Sequence, residues 1–202
     1  MNEKEKMIQG LLYDPCDEEL CAIRLNAHKL CIEYNKTTEE DREKRAQIIK
    51  DMGVNFGKGS YLQGPIYFDY GCFISIGERT YANFNLTILD TCPVTIGNDV
   101  FIGTGVSIVT PLHPMRYQER NPHLNEEGRL ISIEYAKPVI IEDNCWIASN
   151  VTICGGVTIG AGSVIGAGSV VTKSIPKDSF AAGNPCRVIR KITEKDSYIY
   201  KK

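Results

Sequence analysis

The stretch IEDNCWIASNVTICGGVTIGAGSVIGAGSVVTKSIP, Ile141 to Pro176, decides the fold. A β-branched aliphatic returns every six residues, at Ile141, Ile147, Ile153, Ile159, Ile165 and Val171. Six is a multiple of the strand period of two and not of the helical 3.6, so the pattern excludes an amphipathic helix. The second position is small or acidic in the first five hexads (Glu142, Ala148, Cys154, Gly160, Gly166), and the fifth carries Cys145, Val151, Val157, Ser163 and Ser169. Such a unit, Ile-Gly-x-x-Val-x, predicts a β-helix in which each short strand buries one aliphatic and a turn follows before the next. Three hexads per coil close a triangular prism, so every aliphatic points inward and each coil gives the next its backbone partners. The strands of a β-sandwich would not be interrupted every six residues.

The same register runs upstream through Ile96-Gly97-Asn98-Asp99-Val100-Phe101 and Ile102-Gly103-Thr104-Gly105-Val106-Ser107 to Ile108, and less regularly through Ile76-Gly77, Ala82 and Ile88. The expected organisation is a helical segment at 1–55, a β-helix at 56–185 and a cap or tail, helical or irregular, at 186–202.

At 202 residues the chain can build one good core and does not require two. A formal charge of −2 with no basic block leaves no footprint for nucleic acid, though a local anion site is compatible with it. The start, MNEKEKMIQG, is charged from its third residue and no apolar run reaches membrane-spanning length, so a cytoplasmic protein without a membrane anchor is expected. The eight cysteines lack paired spacing, which predicts that most are small buried hydrophobes in a reducing compartment. With no C-x-x-C and three histidines, no metal site is expected.

Before the prism, Leu20, Ile23, Ala27, Leu30, Cys31 and Tyr34 fall at helical spacing and predict a helix over Asp17 to Tyr34. Thr38 followed by Glu39, Glu40 and Asp41 suits the start of a second helix carrying Ala46, Ile48, Ile49 and Met52 and ending at Gly53. A short helix near Glu3 to Gln9 should precede both. These helices are too poor in apolar surface to fold alone, so they should pack on the first coils beside the substrate site.

The register breaks once, between Ile108 and Ile141, where about 27 extra residues form a loop at about 111–138 rich in Pro, charge and Tyr. A loop of that size on a regular scaffold usually serves function. It holds His113 and His123. His113 sits at the root, where the last coil fixes its backbone, and an imidazole there can act as a general base near neutral pH. His123 lies ten residues further out, and His28 falls on the polar side of the main helix. Tyr81-Ala82-Asn83-Phe84-Asn85 places two asparagines around an aromatic, either as turn formers or as hydrogen-bonding site residues. Arg187 and Arg190, three apart, would share a face of a helical turn and with Lys173 could hold phosphates; a solvated basic tail is the other reading. No nucleophile elbow or acid-His-nucleophile order is present, which disfavours covalent serine catalysis.

Taken together, the helical segment around Tyr13 to Asn35, Tyr81-Ala82-Asn83-Phe84-Asn85, His113-Pro114, Asn144-Cys145-Trp146-Ile147, Ile165-Gly166-Ala167-Gly168-Ser169 and Ala182-Gly183-Asn184-Pro185-Cys186-Arg187-Val188-Ile189-Arg190 carry a resemblance. The chain resembles the maltose and galactoside O-acetyltransferases of the hexapeptide-repeat family over nearly its full length. That resemblance implies a left-handed β-helix, a homotrimer, and acetyl-CoA as donor in a groove between neighbouring prisms, with no metal required. It implies His113 as the base for a sugar hydroxyl, and Asn83, Asp69, Tyr81 and Arg24 on the acceptor. It also implies Trp146, the Ser149 backbone N–H, Thr172, Lys173, Arg187 and Arg190 along the coenzyme and its thioester. Asp69 stands where galactoside enzymes carry Ser and matches the maltose type. The N-terminal acidic residue that contacts sugar has no clean match: Pro15 takes its place, with Asp14 and Asp17 on either side. Two other classes stay open at this stage, a γ-type carbonic anhydrase, which needs three metal-binding histidines, and a non-catalytic β-helix binding protein or scaffold.

Overall fold

Ile141, Ile147, Ile153, Ile159, Ile165 and Val171 are all completely buried in one continuous core. The structure, a computed structural model, describes residues 1–125 and 128–199. Residues 126–127 of the expected loop and 200–202 of the expected tail lie outside the described residues.

The prism has three faces of parallel strands. The first stacks Asn55–Phe56, Ile74–Ile76, Val94–Ile96, Val139–Ile141 and Thr158–Ile159. The second stacks Tyr61–Leu62, Tyr81–Ala82, Phe101–Ile102, Trp146–Ile147, Val164–Ile165 and Ser179–Ala182, and the third Ile66–Phe68, Leu86–Leu89, Ser107–Val109, Thr152–Cys154 and Val170–Val171. The register places like on like: Ile141 pairs with Ile96 and Ile159, Ile147 with Ile102 and Ile165, and Ile153 with Ile108 and Val171. This is a left-handed parallel β-helix of hexapeptide repeats. Buried Ser163 and Ser169 keep their hydroxyls bonded to the Pro176 and Gly166 carbonyls, so the interior carries no unpaid polar cost at those hexads. Asn85, Asn144 and Asn150 turn corners at φ of 61°, 60° and 57°, the left-handed region that asparagine tolerates best after glycine.

Three helices precede the prism: α1 (Glu3–Ile8), α2 (Glu18–Asn35) and α3 (Arg42–Asp51). Of the expected stripe, α2 buries Leu20, Ala27, Cys31 and Tyr34, while Ile23 and Leu30 are partly buried against the core. It also closes a sheet edge, because Asn35 accepts from the Ile66 N–H at 2.8 Å and donates to the Ile66 carbonyl at 2.9 Å. The second helix starts later than expected. Thr38 and Asp41 bond each other in a turn, and α3 begins only at Arg42. Its buried residues also differ, since Ala46 is exposed and Arg45 is buried, donating to Thr37 and to the Tyr61 hydroxyl. The cysteine expectation holds only for half: Cys31, Cys92, Cys145 and Cys186 are buried, Cys21 and Cys154 are intermediate, and Cys16 and Cys72 are exposed.

The C-terminal end differs from the helical alternative. Arg187–Lys191 is a strand, antiparallel to Ser179–Ala182, with an irregular register at Phe180/Ala181. Arg187 and Arg190 therefore do not share a helical face. The described residues of the inserted loop form an arm: Pro111–Leu112 pairs with Tyr135–Ala136, a four-residue helix α4 (Tyr117–Arg120) follows, and His123–Leu124 pairs with Leu130–Ile131.

Candidate active site

Where the third face turns toward the first, residues 69–73, 90–93 and the inserted arm stack on successive coils. They enclose a cleft of about 400 Å³ lined by Tyr13, Arg24, Asp69, Tyr70, His113 and Glu134, together with Pro15, Cys16, Thr91, Pro111 and Ser132. A larger hollow of about 570 Å³ between α3 and the first coil is lined by Tyr34, Arg45, Ile49 and Tyr61 and contains no histidine.

His113 follows directly on Pro111–Leu112, which is tied to Tyr135–Ala136, so the backbone that leads into it is held in place. Its side chain is 52% exposed, and its Nδ1 lies 4.0 Å from Glu134 Oε1. The other carboxylate oxygen of Glu134 accepts from the Tyr13 hydroxyl at 3.0 Å. Burial, reinforced by the Glu134 carboxylate, pushes the Tyr13 phenol well above the usual range, so it remains a proton donor.

The cleft floor is set by the turn after Ile66–Phe68. Asp90, fully buried, accepts from the Tyr70 and Phe73 N–H groups at 2.9 and 3.4 Å. Burial raises its carboxyl to about 6. Tyr70 accepts from Arg24 Nη1 at 3.0 Å, and burial raises its phenol to about 12. Arg24 also donates to the Pro15 carbonyl at 3.3 Å, which fixes the start of α2 against the cleft. Burial opposes the Arg24 charge, but Tyr70, Cys21 and Asp69 outweigh it and hold the guanidinium above its ordinary value. Asp69, on the cleft edge, stands 3.4 Å from His28 Nε2.

Among the residues expected in a site, His113, Asp69 and Arg24 therefore meet in this cleft. Asp14 and Asp17 do not line it. Asp14 pairs with Arg129 of the arm at 3.2 Å, and Asp17 caps α2 through the Glu19 and Leu20 N–H groups. Tyr81 lies on the second face and Asn83 just past it, on the corner that also carries Ser149. Trp146, 54% exposed, stands on the same face as Tyr81, with Phe101 between them in the ladder. Thr172 and Lys173 are exposed and follow Val170–Val171 on the third face. Arg187 and Arg190 lie on the terminal strand of the second face. Arg187 spends one donor on the Cys186 carbonyl at 2.8 Å, whereas Arg190 pairs with Asp196 at 2.7 Å and sits 5.7 Å from the Phe180 ring centroid. His123 is in the outer hairpin, against the Asn121 carbonyl. Within one chain, the third face separates the corner holding His113 from the corner holding Asn83 and Ser149.

Glu134, Tyr13 and Tyr70 were not singled out from sequence. A usable signal for Glu134 exists: the two roots of an insertion must lie side by side on the coil they interrupt. A carboxylate just before the return, in Glu134-Tyr135-Ala136-Lys137-Pro138, is therefore close to a histidine just after the exit. Among the described residues, no group of three or more His, Cys, Asp or Glu is placed to hold a metal ion, and no helix is long and apolar enough to cross a membrane.

Fold and corner cleft define a hexapeptide-repeat β-helix protein with an N-terminal helical cap. Two family descriptions match in those places: the maltose acetyltransferase hexapeptide capping motif over residues 6–52, and the bacterial transferase hexapeptide (six repeats) over 138–173. A putative acetyltransferase of Saccharomyces cerevisiae is 45% identical over 98% of this chain and 96% of its own length. Two solved structures are similar throughout. One is a maltose O-acetyltransferase from Clostridium difficile, with a TM-score of 0.88 and 44% identity, covering 96% of this chain and 99% of that one. The other is a galactoside acetyltransferase in complex with coenzyme A, at 0.87 and 41%, covering 100% and 96%. The chain belongs to the hexapeptide-repeat acetyltransferase family of the maltose and galactoside O-acetyltransferases.

Proposed function

We propose that this protein is an O-acetyltransferase that moves the acetyl group of acetyl-CoA onto a hydroxyl of maltose, glucose or a related glycoside. The observation that carries this reading is His113, half exposed at the root of the arm in a polar cleft with Arg24 and Asp69. Such a cleft suits a sugar, which needs hydrogen-bond partners more than apolar area. Asp69 and Arg24 would meet the acceptor there, with Asp14 and Asp17 supporting the adjoining segment.

A thioester is already activated, so the chemistry needs a base, a donor for the developing oxyanion and two substrates held in contact. In the reading proposed here the acceptor oxygen attacks the thioester carbonyl as its proton passes to His113 Nε2. The tetrahedral intermediate collapses with cleavage of the C–S bond, and His113 returns the proton to the departing thiolate. No covalent enzyme intermediate forms. The backbone N–H of Ser149 would face the thioester oxygen. Exposed Trp146, Thr172 and Lys173, with Arg187 and Arg190, would lie along the coenzyme, which requires Arg190 to leave Asp196 or to act with it.

The separation of His113 from Asn83, Tyr81, Trp146 and Ser149 on different parts of one prism supports a homotrimer, in which one protomer's His113 corner meets its neighbour's second face. Eight free cysteines, four of them buried, support a reducing cytoplasm. The test is coenzyme thiol release from acetyl-CoA with a panel of sugars, for wild type, His113→Ala and His123→Ala. We expect His113→Ala to lose roughly 10²- to 10⁴-fold in kcat with acetyl-CoA binding retained, and His123→Ala to stay near wild type. Activity of His113→Ala within about threefold of wild type contradicts the assignment.

A further inference from the structure

Tyr13 and Glu134 lie 121 residues apart in sequence and are joined three times. Their backbones exchange two hydrogen bonds, Tyr13 N–H to the Glu134 carbonyl at 3.0 Å and Glu134 N–H to the Tyr13 carbonyl at 3.1 Å. The Tyr13 hydroxyl then donates to Glu134 Oε2 at 3.0 Å. Next door, Arg129 of the arm and Asp14 of the N-terminal segment form an ion pair at 3.2 Å. The N-terminal segment is thus clasped to the returning limb of the arm beside the acceptor cleft.

The clasp has a direction. Tyr13 is 2% exposed and its ring packs with Met7, Leu20 and Tyr70, so its hydroxyl has little freedom of position. Glu134 is held at its backbone and at Oε2, which leaves Oε1 facing His113 Nδ1 at 4.0 Å. A carboxylate on that side favours the tautomer with hydrogen on Nδ1 and leaves Nε2 free to accept a proton. It also stabilises the imidazolium that forms as the proton arrives.

We propose that Tyr13 is a positioning residue for the transferase reaction: its hydroxyl orients Glu134, and Glu134 orients His113. This rests on the reading of His113 as the base and adds that the helical cap, through Tyr13, takes part in preparing that base. The 4.0 Å separation closes to a hydrogen bond when acceptor fills the cleft.

The experiment is a double-mutant cycle on kcat with Tyr13→Phe, Glu134→Ala and the pair, beside His113→Ala, each with separate KM values and a melting curve. Tyr13→Phe should lower kcat about tenfold while both KM values stay within about twofold, because the lost bond holds a charged group and the phenyl ring keeps its place in the cleft wall. Glu134→Ala should lose more, and adding Tyr13→Phe to it should cost less than about twofold further, since the phenol then has nothing to orient. Glu134→Gln replaces Glu134→Ala in the cycle if the latter does not fold. The proposal is overturned if Tyr13→Phe retains wild-type kcat, or if the two losses multiply independently. If His113→Ala is itself fully active, the reading of the base fails, which is a different result from an inactive His113→Ala beside a fully active Tyr13→Phe.

Discussion

His113 was legible because it stands where a regular register stops, and a break in a regular scaffold marks a place where side chains are fixed yet reachable. Its neighbours were harder to see. Glu134 and Tyr13 reach it through contacts that close only when the arm folds back onto the N-terminal segment, and no local spacing encodes that. Asp90 was hidden for a related reason: in sequence it is one more polar corner residue, and only the stacked turn below buries it against the Tyr70 and Phe73 N–H groups. It yields a pH prediction. Its carboxyl is raised to about 6 in the fold, so the folded state favours the protonated form. The stability it contributes is full below the ordinary carboxylate range and is lost as pH rises through about 6. Urea melts of wild type and Asp90→Asn between about pH 4 and pH 7 should show wild type losing up to about 3 kcal/mol relative to the variant as pH rises. A difference independent of pH would show that Asp90 does not titrate in that window.

Among the elements, the hexads of Ile141 to Pro176 were readable because each coil repeats one local solution: an aliphatic inward, a small residue at the corner, an asparagine or glycine where φ turns positive. The terminal strand was ambiguous because Arg187-Val188-Ile189-Arg190-Lys191 fits a helical turn or a strand equally well by spacing. What decides is a partner some residues earlier, the free edge of Ser179–Ala182. The start of α3 slipped for a similar reason, since Thr38 and Asp41 both suit a helix start and their mutual bonding closes a turn first. On the terminal strand the Arg187 side chain is exposed and donates to its own neighbour's carbonyl, so it has donors left for a phosphate. Arg187→Ala should raise the KM for acetyl-CoA about tenfold with kcat little changed, the signature of lost uniform binding. An unchanged KM with a lower melting temperature would reduce Arg187 to a part of the cap.

At the scale of the molecule, the prism is stable because stacked coils bury one aliphatic above another with no room to relax. Ile159, completely buried beneath the last coils, should cost roughly 2 to 5 kcal/mol when cut to Ala, read by denaturant unfolding. A cost under about 0.5 kcal/mol would mean that the stack collapses around the cavity. The same rigid prism keeps the His113 corner and the Asn83 corner apart, so a catalytic site using both must be made by two protomers. Co-expression of His113→Ala and Asn83→Ala chains tests that directly. In the proposed trimer each parent alone should be nearly inactive, whereas random assembly of equal amounts of the two chains joins an intact His113 to an intact Asn83 at about one interface in four over the whole mixture. The account predicts thiol release at about a quarter of the wild-type rate from the mixture, and a mixture no more active than its two parents would contradict it.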